Sequence, residues 1–273
     1  MASPMILKPF LLFCLVLGAP IFATAQDYNI QNVARLDILP GYPTANGHMI
    51  AARIQLRAGW KTYWRSPGGN GIPPVFDWSG SENVGAVSFH WPEPSVFTEK
   101  NVRTIGYKRQ LVLPIAITPR QKGKPILLKG EVTFGVCEDI CIPVKARFSL
   151  NVAGTDQPSR TAIRTALAQK PITAKAAGVR NVSCEITPTS DGFKLRATVK
   201  TRSALPAQTF TIFEFQHPEV WIEQDRASTS GTTLTASANL YAYGDTPLIL
   251  DRSKITLTLL GGNRAIELRG CPS

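Results

Sequence analysis

Residues 126–153, ILLKGEVTFGVCEDICIPVKARFSLNVA, alternate between apolar and polar on both sides of a short break. Before the break, Val132, Phe134 and Val136 fall on one side and Glu131, Thr133 and Gly135 on the other. After it, Ile142, Val144, Ala146 and Phe148 resume the same period. A period of two marks a strand with one face buried. Cys137 and Cys141 flank the break. On a straight strand they would stand about 13 Å apart at ~3.3 Å per residue. A disulfide needs Cα atoms roughly 4.4–6.8 Å apart. A bond between them therefore requires the chain to turn at Glu138-Asp139-Ile140, an ordinary hairpin length. One helical turn would also bring the pair together, but Pro143 and the β-branched flanks oppose a helix. Pro143 cannot donate to a ladder, so the return strand lies at a sheet edge or starts distorted.

The same texture recurs along the chain. MIAARIQLRAGW (49–60) and RQLVLPIAIT (109–118) precede the pair. FKLRATVKT (193–201), QTFTIFEFQ (208–216), TLTASANLYA (233–242) and KITLTLLG (254–261) follow it. Glycine and proline separate the runs, as between strands. One segment differs. SRTAIRTALAQKP (159–171) has Ser159 as a cap, apolar residues at 163, 166 and 167, and a terminating Pro171, so it predicts a short helix. The expected fold is all-β: a β-sandwich over residues 26–155, a helical linker over 156–180, and a second β-sandwich-like domain over 181–273. Each half has a length that suits a sandwich.

The chain opens MASPMILKPFLLFCLVLGAPIFATAQ. Lys8 precedes an apolar run from Phe10 to Leu17, Gly18 and Pro20 break it, and Ala23-Thr24-Ala25 offers a cleavage site. This order is that of a secretory signal peptide over residues 1–25. A retained amino-terminal anchor is the alternative, but the apolar run is too short to span a membrane. Cys14 would leave with this segment. Its removal takes one lysine and no acid, so the net charge falls only from +11 to +10. That basic balance suits acidic partners or an anionic membrane surface. Nucleic acid is not expected, because the cations are scattered and no binding motif is present.

Four cysteines remain, and an even number in an exported chain favours disulfides. Cys184 and Cys271 open and close the second half and form the natural structural pair. Their loop of about 88 residues would contribute on the order of 4–5 kcal/mol. Cys137–Cys141 would close a tiny loop near the surface. It gains little chain entropy, and accessible pairs of this kind exchange readily. Glu138 and Asp139 place negative charge beside it, which raises the thiol pKa values and slows random oxidation. Neutralising both should lower those pKa values. A fixed staple remains the competing reading.

The same thiols would suit Cu(I). A third ligand would have to come from His48, His90, His217 or Met49, and none forms a motif with Cys137. Each histidine reads as a surface or packing residue. No zinc spacing, nucleophile elbow or paired Cys/His is visible, and no cofactor is called for.

The stretch 109–144, ending GVCEDICIPV, resembles the amino-terminal periplasmic domain of the DsbD protein-disulfide reductase family. Its GVCxDxCIP form is similar to the ScsB-like, copper-tolerance branch. GWKTYWRSPGGNGIPPVFDW (59–78), WPEPSVF (91–97) and GGNRAIELRGC (261–271) extend the likeness. The resemblance implies an immunoglobulin-like domain whose Cys137 and Cys141 form an exchanging dithiol. It implies a DsbD/ScsB-like membrane donor and periplasmic thioredoxin-fold acceptors. It also implies an aromatic cap over the pair, here within residues 95–107, with Phe97 and Tyr107 as candidates and core packing as the other reading of both. Family members usually carry a membrane hub and a thioredoxin-like domain in the same chain. Neither is expected here, so either a separate membrane protein supplies the electrons or the chain works as a soluble shuttle or binding module. The aromatic loop YWRSPGGNGIPP (63–74) reads either as a docking surface or as a self-packed sandwich loop.

The resulting expectation is periplasmic thiol:disulfide exchange of the protein-disulfide reductase type, with Cys141 favoured as the attacking thiol. The alternatives are Cu(I) binding through the same thiols, or an interaction module with two fixed disulfides.

Overall fold

The computed structural model describes residues 33–272 apart from 69–70, 100–101, 216–219, 226, 243–249 and 263. The expected signal peptide and His217 lie outside the described residues.

The first half builds two sheets. One runs β1 (Ala34–Thr44), β2 (Gly47–Leu56), β8 (Gln110–Pro119), β5 (Val84–Phe89). The other runs β10 (Cys141–Val152), β9 (Ile126–Cys137), β3 (Lys61–Tyr63), β7 (Val102–Lys108), β6 (Ser95–Glu99), with β4 (Val75–Asp77) also paired to β9. Alternation sets what each strand buries. Leu111, Leu113, Ile115 and Ile117 of β8 meet Val132, Phe134 and Val136 of β9 in one core. The two sheets form a sandwich, as the alternation predicts, and its immunoglobulin-like fold is the one the resemblance implies. β10 is the edge strand of its sheet, where Pro143 faces Gly135 at no cost to an inner ladder.

β2 is apolar on both faces because both are covered. Ile50, Ala52 and Ile54 face the core, while Met49 and Ala51 pack with Ile163 of the helix α1 (Gln157–Ala168). The predicted cap is corrected. Ser159 lies buried in the first turn, and the carboxylate of Asp156 accepts from the Ser159 backbone N–H at 2.9 Å. Aspartate in an extended conformation ahead of an early proline makes the stronger start signal.

The second half forms another pair of sheets. One holds β11 (Ile172–Thr173), β19 (Ile266–Arg269), β18 (Ile255–Leu260) and β14 (Phe210–Phe215). The other holds β12 (Val179–Thr189), β13 (Gly192–Thr201), β17 (Thr233–Ala242) and β15 (Val220–Gln224), with β16 (Ser228–Ser230) on β17. Leu195, Ala197 and Val199 pack there against Leu257 and Leu259. Ile212, Leu260 and Ala265 join the first core, so the halves share apolar surface. Arg65 ties them further, with Nε 2.7 Å from Glu214 and Nη2 2.7 Å from Glu267.

Candidate functional site

β9 and β10 form the predicted hairpin, with Cys141 directly opposite Cys137. The two are disulfide-bonded, with Cα atoms 4.2 Å apart. Of the two cysteines expected near the surface, only Cys141 is there; Cys137 is 6% exposed. The difference comes from β3, which pairs Lys61 with Cys137 and Thr62 with Val136 and so covers the inner cysteine.

Of the covering residues, the sequence points to Tyr63 only as the start of the aromatic loop 63–74, and not to Lys61 or Thr62. Tyr63 is buried, and its hydroxyl oxygen stands 3.0 Å from Cys141 Sγ. Its ring crosses Gly135, where any added Cβ would strike Tyr63 Cδ2 and Cε2. That glycine, on the Cys137 side of an alternating strand, was the available signal for a close approach. Burial, and then the nearby Glu99 carboxylate, raise the Tyr63 pKa, so the phenol keeps its proton to donate to sulfur. Lys61 is 4% exposed. Its ammonium donates to Glu99 at 2.7 Å, and this hydrogen bond is the main cause of the lowered Glu99 pKa.

The two cap candidates separate. Phe97 is half-buried and lies on the Lys61 side, its ring centroid 5.8 Å from Lys61 Nζ and 4.8 Å from Lys108 Nζ. Tyr107 stands opposite Thr62, on the other face of the sheet. It packs in the core and donates its hydroxyl to the Pro92 carbonyl at 2.8 Å, so it takes the packing reading and does not reach the disulfide. Glu138 and Asp139 are exposed at the hairpin tip, the Glu138 carboxylate lying over Gly59. Their effect on the thiols is thus screened by water.

Cys184 and Cys271 are bonded, both buried, with Cα atoms 5.3 Å apart. Arg252 Nη1 donates to both of their carbonyls, at 2.9 and 3.3 Å. His48 is buried with Nε2 2.9 Å from the Pro40 carbonyl, Met49 packs under α1, and His90 meets Lys170. Among the described residues, no three His, Cys, Asp or Glu side chains gather to hold a metal ion.

The hairpin disulfide lies within a segment that matches a known family model. The family model described as thiol:disulfide interchange protein DsbD, N-terminal, matches residues 31–153. Over these residues the chain is similar to the DsbD amino-terminal domain. The DsbD-type domain and the second half together have the fold of a solved structure, the N-terminal periplasmic domain of ScsB from Proteus mirabilis. The TM-score is 0.71 at 20% identity, over 90% of this chain and 96% of that one. No curated protein matches the chain.

Proposed function

We propose that the protein is a periplasmic thiol:disulfide exchange protein. The observation that carries this reading is the asymmetric Cys137–Cys141 disulfide within a DsbD-type domain. Reducing equivalents enter from a DsbD/ScsB-like membrane donor and leave to thioredoxin-fold or other periplasmic acceptors. Exposed Cys141 is the sulfur a partner reaches, and buried Cys137 closes the exchange. Removal of residues 1–25 by export, division of the remainder near residues 155–180, and a purely structural Cys184–Cys271 pair belong to the same reading. The periplasmic placement rests on the ScsB likeness and on the signal-like leader.

Mixing the reduced protein with an oxidised thioredoxin-fold protein tests this. Cys137→Ser should trap a mixed disulfide through Cys141, and Cys141→Ser should abolish transfer. Transfer surviving in Cys141→Ser would reject the assignment. Cu(I) binding through the same two thiols is the second reading, favoured by their adjacency alone. Stoichiometric Cu(I) binding lost in Cys137→Ser, without any exchange, would support it instead.

A further inference from the structure

The Lys61 side chain is 5% exposed, which is rare for lysine unless its charge has a use or a partner. It stands opposite Cys137, and directly paired residues project from one face with Cβ atoms about 4.5–5.5 Å apart. The groups facing this row are Glu99 from β6, Lys108 from β7, Tyr63 from β3, and Glu138 and Asp139 from the hairpin. Glu99 takes the Lys61 hydrogen bond, but its side chain is 58% exposed and β7 separates its strand from β3. Water therefore screens the carboxylate's charge more than that of the buried ammonium it meets. Cys137 is itself buried, and burial alone disfavours a thiolate. The two sulfurs thus meet different surroundings. Cys141 has solvent and a phenol; Cys137 has a desolvated cation on the adjoining strand.

We propose that Lys61 is a positioning residue for thiol exchange, holding the inner sulfur of Cys137 in its anionic form so that it resolves the mixed disulfide formed at Cys141. This rests on the exchange reading above. With oxidised glutathione as partner, the Cys141 thiolate attacks one glutathione sulfur and one glutathione thiolate leaves. The Cys137 thiolate then attacks Cys141 Sγ, closing the intramolecular bond and releasing the second glutathione thiolate. Two electrons pass from protein to glutathione, and the two cysteine protons go to solvent or to the glutathione thiolates. Lys61 acts on the second step.

The test mixes the reduced protein with oxidised glutathione over roughly pH 5–9, a range that brackets thiol ionisation, quenches with acid, and follows the mixed disulfide by intact mass. In Lys61→Met the mixed disulfide should live about tenfold longer near neutral pH, and the rise of resolution with pH should move up by about one unit. Lys61→Arg should restore both. A merely structural lysine would lower the melting temperature and leave the pH profile in place. If Lys61→Met does not fold, Glu99→Gln carries the test, since an unopposed ammonium should move the profile to lower pH. An unmoved profile in folded Lys61→Met, or in Glu99→Gln, overturns the proposal. A wild-type protein that forms neither the mixed disulfide nor the Cys137–Cys141 bond with oxidised glutathione is a different result: it overturns the exchange reading, and this proposal with it.

Discussion

The phenol oxygen of Tyr63 lies 3.0 Å from Cys141 Sγ, on a strand that is not the sequence neighbour of either cysteine. A hydrogen bond to the charged form of a group lowers its pKa. Tyr63→Phe keeps the ring over Gly135 and removes only the donor. The pH midpoint of Cys141 alkylation in the reduced protein should therefore rise, by roughly half a unit to one unit. An unchanged midpoint would show that the hydroxyl serves packing alone.

Arg65 bridges the two halves through Glu214 and Glu267, whose side chains are only 13% and 15% exposed. Burial works against the Arg65 charge, but the hydrogen-bonded carboxylates hold it firmly. Removing one partner of such a network leaves uncompensated charge, at a cost of about 3 kcal/mol. Arg65→Met should lower the urea midpoint accordingly. Loss of only a few tenths of a kcal/mol would show that the bridge behaves like a surface pair.

The Cys184–Cys271 bond spans a sequence separation of 87 residues. The double Cys184→Ser, Cys271→Ser variant should lose about 4 kcal/mol of stability while keeping its thiol exchange. Lost exchange in a folded double variant would contradict a purely structural role.

His48 is buried, and that burial lowers its pKa below the ordinary 6.5, against the opposing hydrogen bond to the Pro40 carbonyl. His90 shifts the same way through burial and the Lys170 charge. The folded state thus binds fewer protons than the unfolded chain. Their contribution is full above the ordinary value of 6.5 and is lost as pH falls through it toward the lower folded values. The slope is at most about 1.4 kcal/mol per pH unit for each proton. Melting temperatures measured from neutral to mildly acidic pH should decline, and His48→Gln should flatten the decline. An equal slope in that variant would remove His48 from the account.

What the sequence reveals follows from how local the signal is. The β9–β10 hairpin is legible because its period of two runs up to Cys137 and resumes after Cys141, and Pro143 marks an edge. The α1 helix is legible from its apolar spacing, but its start is displaced by three residues because Ser159 and Asp156 are both acceptable caps. Tyr107 misleads because an aromatic in the right segment says nothing of its face, and pairing with Thr62 turns it to the core. Tyr63 reaches the disulfide, and Lys61 stands opposite Cys137, only because β3 pairs with β9, a long-range contact with no local period. Only the misplaced glycine, Gly135, hints at it.

The central claim is that the Cys137–Cys141 bond opens and closes in use. Equilibrating the protein with glutathione buffers and trapping free thiols measures its reduction midpoint. The account predicts a midpoint between roughly −120 and −270 mV, within the span of known exchange proteins, with Cys184 and Cys271 remaining oxidised throughout. A Cys137–Cys141 pair still oxidised below about −300 mV would make it a staple and contradict the account.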